Sequence, residues 1–87
     1  MYNFYILRCS DNSLYSGITT DLDKRLKEHN SVRGRGAKYT RAKRPVVLVY
    51  SEKMSSRSLA LIREAEVKKW PKDKKEKLIL KSAIIRE

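Results

Sequence analysis

Five residues in the first third of the chain have side chains, or in one case a missing side chain, suited to phosphate chemistry. Tyr5 lies in one apolar run and Tyr15-Ser16-Gly17 in the next; Arg25 and His29 then follow four residues apart. A guanidinium offers a permanent charge and two parallel donors, which is what a transition-state clamp needs. An imidazole can relay a proton or donate to a phosphate oxygen. A phenol can take a proton from an attacking water if a cation, here Arg25 or a metal, lowers its high intrinsic pKa. Gly17, with no side chain at a strand end, lets a substrate or another backbone approach closely. Plainer roles compete: Arg25 snorkelling, His29 bonded to a backbone carbonyl near a helix end, tyrosines in a core, Gly17 marking only a bend.

The elements that must position these groups follow from pattern. Residues 2–9 are aromatic and β-branched enough for a strand. Turn chemistry at Ser10-Asp11-Asn12-Ser13 leads to a second strand over 14–18, so the chain opens with a β-hairpin that puts Tyr5 and Tyr15 opposite or diagonal to each other. Thr20 can cap a helix, with Asp21 and Asp23 in its first turn, running to about Asn30. On that helix Leu22 and Leu26 mark the core stripe and Arg25 and His29 lie beside it, with Lys24, Lys27 and Glu28 outward. Residues 31–44 read as a loop. The apolar run 46–50 reads as a central strand buried on both faces. Ser55 or Ser56 caps a second long helix through about Trp70, and Pro71 suits the first turn of a last helix whose aliphatic positions can dock. The order β-β-α-β-α-α makes a small α/β sandwich with a three-stranded sheet.

Two later segments add chemistry. In the second long helix, Glu64 has Ala60, Leu61 and Val67 on its helical face and Lys68 at i+4. A carboxylate set among apolar side chains is costly unless neutralised. A magnesium ion would do this, since it commonly takes one or two protein carboxylates and keeps several waters; a surface pair with Lys68 is the alternative, and Glu66 competes as ligand. The loop Gly34-Arg35-Gly36-Ala37-Lys38-Tyr39-Thr40-Arg41 combines glycines that admit phosphates, cations that neutralise them, and a tyrosine that can bond or stack. Arg35, Lys38, Tyr39 and Arg41 are its candidate nucleic-acid contacts, with Gly17.

Composition sets the wider bounds. Eighty-seven residues suit one domain. The single cysteine, Cys9, excludes an internal disulfide and a zinc site of the usual spacing, and reads as a buried strand residue. No apolar run approaches a membrane span and no leader-like segment opens the chain, so a soluble, cytoplasmic protein is expected. The net charge of +11 is uneven: residues 1–30 balance four basic against four acidic side chains, and residues 31–87 carry seventeen against six. That asymmetry favours a polyanion, met by the basic loop 33–44 and the lysine run 68–77.

Phe4-Tyr5-Ile6, Tyr15-Ser16-Gly17, Arg25, His29 and Glu64, in this order and spacing, resemble the GIY-YIG nuclease superfamily. The likeness covers nearly the whole chain. It is nearest to a small single-domain bacterial subfamily, through Ala37-Lys38-Tyr39-Thr40-Arg41 and Arg63-Glu64. Asn3-Phe4 stand where the first motif has Gly-Ile, and Ser16 fills the middle of the second. The resemblance implies a three-stranded antiparallel sheet flanked by helices and one-metal phosphodiester hydrolysis with magnesium or manganese. It implies that Tyr5 and Tyr15 are the motif tyrosines, one of which helps activate water. It further implies that Arg25 stabilises the pentacovalent phosphate, that His29 assists, and that Glu64 rather than Glu66 binds the metal. The expected function is a DNA endonuclease module of repair or recombination, with room for a protein partner that supplies target specificity. Its rivals are a catalytically weak or inactive DNA-binding module on the same scaffold, and an RNA-associated or structural basic protein.

Overall fold

Phe4, Tyr5, Ile6 and Leu7 are all buried, and they share one strand, β1 (Tyr2–Arg8). In the computed structural model, which describes residues 1–31 and 38–85, β1 is the middle of a three-stranded sheet. It pairs antiparallel with β2 (Leu14–Thr19) on one side and with β3 (Val47–Met54) on the other. Strand side chains alternate between faces. Tyr5 and Leu7 therefore join Cys9 and Val46 in one cluster, packed by Tyr15, Leu22 and Leu26. Phe4 and Ile6 join Val67 in the other, packed by Val49, Tyr50, Leu78 and Ile79 among others. Helix α1 (Leu22–Asn30) covers the first face; α3 (Arg57–Lys68) and α4 (Lys72–Ile85) cover the second.

The element order and antiparallel sheet are those expected, with a one-turn helix α2 (Lys38–Arg41) added inside the region read as a loop. The run 46–50 is not a central strand. It opens β3, an edge strand, where Val47 is 55% and Leu48 38% exposed. β-branched residues record a preference for extended backbone, which an edge strand satisfies as well as a central one. The strand buried on both faces is β1, whose run Phe4-Tyr5-Ile6-Leu7 is equally apolar. A register shift between Ile6 and Leu7 bends the β1–β3 ladder.

Local chemistry sets the element ends. Asn12 takes the left-handed conformation, φ 70°, in the hairpin turn, and the Asp11 carboxylate accepts from the Ser13 amide at 3.0 Å. The cap of α1 is Asp21, not Thr20: its carboxylate accepts from the Lys24 amide at 3.1 Å. Thr19 and Asp21 also bond each other, which leaves the cap one residue later than the sequence suggested. At the other end of α1, the Asn30 amide brackets the backbone of Val46, accepting from its N–H at 2.7 Å and donating to its carbonyl at 2.9 Å. Ser56 caps α3, which stops at Lys68, two residues short of the expected Trp70. Arg8 of β1 donates to both Glu76 oxygens, at 2.8 and 2.5 Å, and ties α4 to the sheet.

Candidate active site

Tyr5 and Gly17 face each other across the β1–β2 ladder. A Cβ at Gly17 would stand 2.5 Å from the Tyr5 hydroxyl oxygen and 2.7 Å from the ring carbon that bears it. The close approach that Gly17 permits within the fold is that of the Tyr5 ring. The glycine lets the phenol lie flat over the neighbouring strand, where its hydroxyl reaches α1.

There the hydroxyl lies 2.9 Å from His29 Nε2, with the Arg25 guanidinium near enough to act on its proton. His29 Nδ1 lies 2.7 Å from the hydroxyl oxygen of Thr40 on α2. Tyr5 is 2% exposed, His29 1% and Thr40 0%. The ring of Tyr15, half-buried on β2, meets His29 edge-on at 5.3 Å between centroids. The plainer reading of His29 as a partner of a backbone carbonyl gives way: both its ring nitrogens engage side chains.

Burial dominates the electrostatics. Desolvation, followed by the Arg25 charge, pushes His29 down to about 4, so the imidazole is neutral at physiological pH. Desolvation pushes Tyr5 up to about 12, although the nearby Arg25 guanidinium pulls the other way. Of the two fields that could lower a tyrosine, Arg25 or a metal, Arg25 alone does not bring Tyr5 into ionisable range. For Tyr5 the cation acts in the expected direction but loses to burial.

Arg25 itself is held. Its Nη1 donates to Glu28 Oε1 at 3.0 Å. Against the cost of its partial burial, the bond to Glu28 and then the nearby Tyr5 keep it firmly charged. Glu28, read from sequence as an outer-face residue, is the missed partner. The i, i+3 spacing was the available signal. Thr40 was missed because nothing in a basic, glycine-rich stretch marks one hydroxyl as buried.

On α3, Glu64 pairs with Lys68 at 3.5 Å and is largely buried. Its charge is close enough to contribute to the upward shift of Tyr5. Glu66 is turned elsewhere, ion-paired with Arg63, whose guanidinium also grips Glu52. No group of three or more His, Cys, Asp or Glu among the described residues could cage a metal. A lone carboxylate such as Glu64 fits a magnesium-type ion that keeps several waters, and does not fit zinc held by protein ligands alone.

Of the expected nucleic-acid contacts, Arg41 is exposed on α2. Arg35, and the side chains of Lys38 and Tyr39, lie outside the described residues. Two other cations of the basic segment are engaged within the fold: Lys43 with Asp11 at 3.2 Å, and Arg44 with the Ser31 carbonyl. In the lysine run, Lys72 reaches Glu76 at 3.9 Å and Lys74 lies 4.2 Å from the centre of the Trp70 ring.

The GIY-YIG catalytic domain family matches residues 1–77. A UPF0213 protein of Staphylococcus haemolyticus is 52% identical over 75 residues, covering 86% of this chain and 89% of its own length. A UPF0213 protein of Haloquadratum walsbyi is 53% identical over 74 residues, covering 85% and 81%. Two solution structures are similar in fold and sequence. The UPF0213 protein of Bacillus halodurans has a TM-score of 0.57 at 45% identity, over 91% of this chain and 83% of that one. A protein of E. faecalis has a TM-score of 0.62 at 41% identity, over 95% and 86%.

Proposed function

The chain belongs to the GIY-YIG nuclease superfamily, and from that premise we propose that it is a metal-dependent DNA endonuclease module. In this reading residues 1–87 form a single nuclease domain that hydrolyses phosphodiester bonds in the cytoplasm, in DNA repair or recombination. The observation that carries the reading is the Tyr5 hydroxyl. Two groups of α1 and one of α3 bear on it: the His29 imidazole at 2.9 Å, and the Arg25 and Glu64 charges, both felt by its proton. No helix among the described residues is long and apolar enough to cross a membrane.

Each residue has a task. Arg25 donates to the non-bridging oxygens of the scissile phosphate and meets the charge that builds there. To reach it the phosphate displaces Glu28, a part-exposed ion pair of the kind that contributes little stability. Tyr5 keeps its proton at neutral pH, so it does not act as a preformed phenolate. It orients the attacking water, and neutral His29 gives the tyrosine's proton somewhere to go as the water's proton arrives. Tyr15, against His29, walls the imidazole. A hydrated magnesium or manganese ion on Glu64 would polarise the phosphate and acidify a bound water. Arg35, Lys38, Tyr39 and Arg41, with the lysine run, would hold the DNA, and a protein partner would choose the target.

The test is incubation of the pure protein with branched, nicked and linear DNAs, in magnesium or in EDTA. Magnesium-dependent nicks are expected. Arg25→Ala and Glu64→Ala should each lower the rate about a hundredfold or more while leaving the melting curve near that of the parent. Parent-rate cutting by Glu64→Ala would remove the assigned metal role. A second reading, a binding module with little or no turnover, is favoured by the raised Tyr5 and the occupied Arg25. It predicts salt-sensitive DNA binding with no magnesium-dependent product.

A further inference from the structure

We infer that Thr40 fixes the direction of the proton chain in this site: its hydroxyl oxygen accepts the Nδ1–H of His29, which leaves Nε2 bare to accept the proton of Tyr5. The distances alone, 2.7 Å at Nδ1 and 2.9 Å at Nε2, allow the chain to run either way. Neutral imidazole has one donor and one acceptor, so a donor at Nδ1 makes an acceptor of Nε2. Burial decides between them: the Tyr5 hydroxyl sits inside the fold beside a permanent cation, Arg25, which offers it no acceptor.

Tyr5 is 2% exposed, and no fully buried side-chain nitrogen or oxygen among the described residues lacks a partner. A buried hydroxyl hydrogen needs an acceptor. The side-chain acceptor at hydrogen-bond distance is His29 Nε2. The order is therefore Tyr5 to His29 and His29 to Thr40, each group donating to the next. The opposite tautomer would turn Nε2–H against the Tyr5 oxygen, and the hydroxyl hydrogen would lose that acceptor.

Thr40 is thus a positioning residue. It touches no reacting atom, and it acts by setting which nitrogen of His29 is free. It lies next to the exposed Arg41 on α2, so the segment expected to meet DNA carries the far end of the chain. The tautomer stands on geometry; its catalytic consequence rests on the nuclease reading above.

The sequence contains one histidine, so nitrogen NMR reads its two ring positions without ambiguity. At neutral pH the parent protein should show a protonated Nδ1 and a bare Nε2. Thr40→Val, similar in shape but lacking the hydroxyl, should shift His29 toward the Nε2–H tautomer, and Thr40→Ser should keep the parent pattern. In the nicking assay Thr40→Val should lower kcat at least about tenfold with KM little changed, and Thr40→Ser should recover most of it. An Nε2–H histidine in the parent overturns the inference. So does a Thr40→Val protein with the parent tautomer, or a Thr40→Ser protein without it. If Thr40→Val fails to fold, the parent and the serine variant still decide. A hydroxyl-dependent Nδ1–H in a protein that cuts no DNA sustains the tautomer and removes the nuclease reading instead.

Discussion

Gly17 has the most direct physical requirement of any single residue in the site. A methyl group there would overlap the hydroxyl end of a buried ring, and Tyr5 cannot swing aside without losing its bond to His29. Gly17→Ala should destabilise the fold by about 1–3 kcal/mol, as overpacking does, and should lower nicking with it. Thermal melting with the parent midpoint would contradict the packing argument. His29 gives a second prediction, in acid. Folded, it takes a proton only near pH 4; unfolded, near 6.5. The unfolded chain therefore binds more protons between those values, and stability falls as pH drops from 6.5 through 4. The difference amounts to about 3 kcal/mol. Denaturant titrations at pH 7 and pH 4 should show the parent losing roughly that much more than His29→Gln. Equal losses would mean that the imidazole is not held neutral by burial. The identities of these residues were legible, because Tyr5, Gly17, Arg25 and His29 are chemically distinctive and regularly spaced. Their energetics were not. Whether Arg25 lowers Tyr5 into range depends on how deeply the phenol is buried, and a sequence does not state burial.

At the scale of elements, periodicity was a good guide and ends were not. The Leu22–Leu26 stripe of α1 packs as its spacing requires, and Arg25 and His29 fall beside it. The cap moved from Thr20 to Asp21 because the Thr19 hydroxyl accepts from the Asp21 amide and holds that residue at the helix entrance. Asp21→Ala should therefore cost about 1 kcal/mol, as a lost N-cap does, whereas Thr20→Ala should stay within about 0.5 kcal/mol of the parent. Urea titrations of the two variants decide it, and equal costs would return the cap to an open question. Strand placement failed for a different reason. The runs Phe4-Tyr5-Ile6-Leu7 and Val46-Val47-Leu48-Val49-Tyr50 carry the same local signal, and only the pairing partners distinguish a central strand from an edge. Those partners are fixed by the chain's return path. The Asn30 bracket on Val46 brings β3 in beside β1, on the side opposite β2.

For the whole molecule, the relevant quantity is where the excess positive charge is available to a polyanion. Composition assigned it to residues 31–87, and the fold divides that pool. Lys43, Arg44, Lys68 and Lys72 each have an internal partner, and Lys74 lies over Trp70. Side chains committed to the fold release fewer counterions from DNA than their number suggests. Arg41 differs: it is exposed, on a one-turn helix whose preceding residue, Thr40, contacts His29. Phosphate contact should therefore be concentrated near α2, where it would place the backbone within reach of Arg25. On this argument Arg41→Gln should weaken binding to duplex and branched DNA alike, since phosphate contacts carry no sequence information. It should also flatten the plot of log affinity against log salt by about 0.9, the loss of one phosphate contact. Lys72→Gln, measured in EDTA so that no cutting intervenes, should change the slope by much less. Equal effects from the two substitutions would mean that DNA responds to the net charge and not to the face that α2 presents.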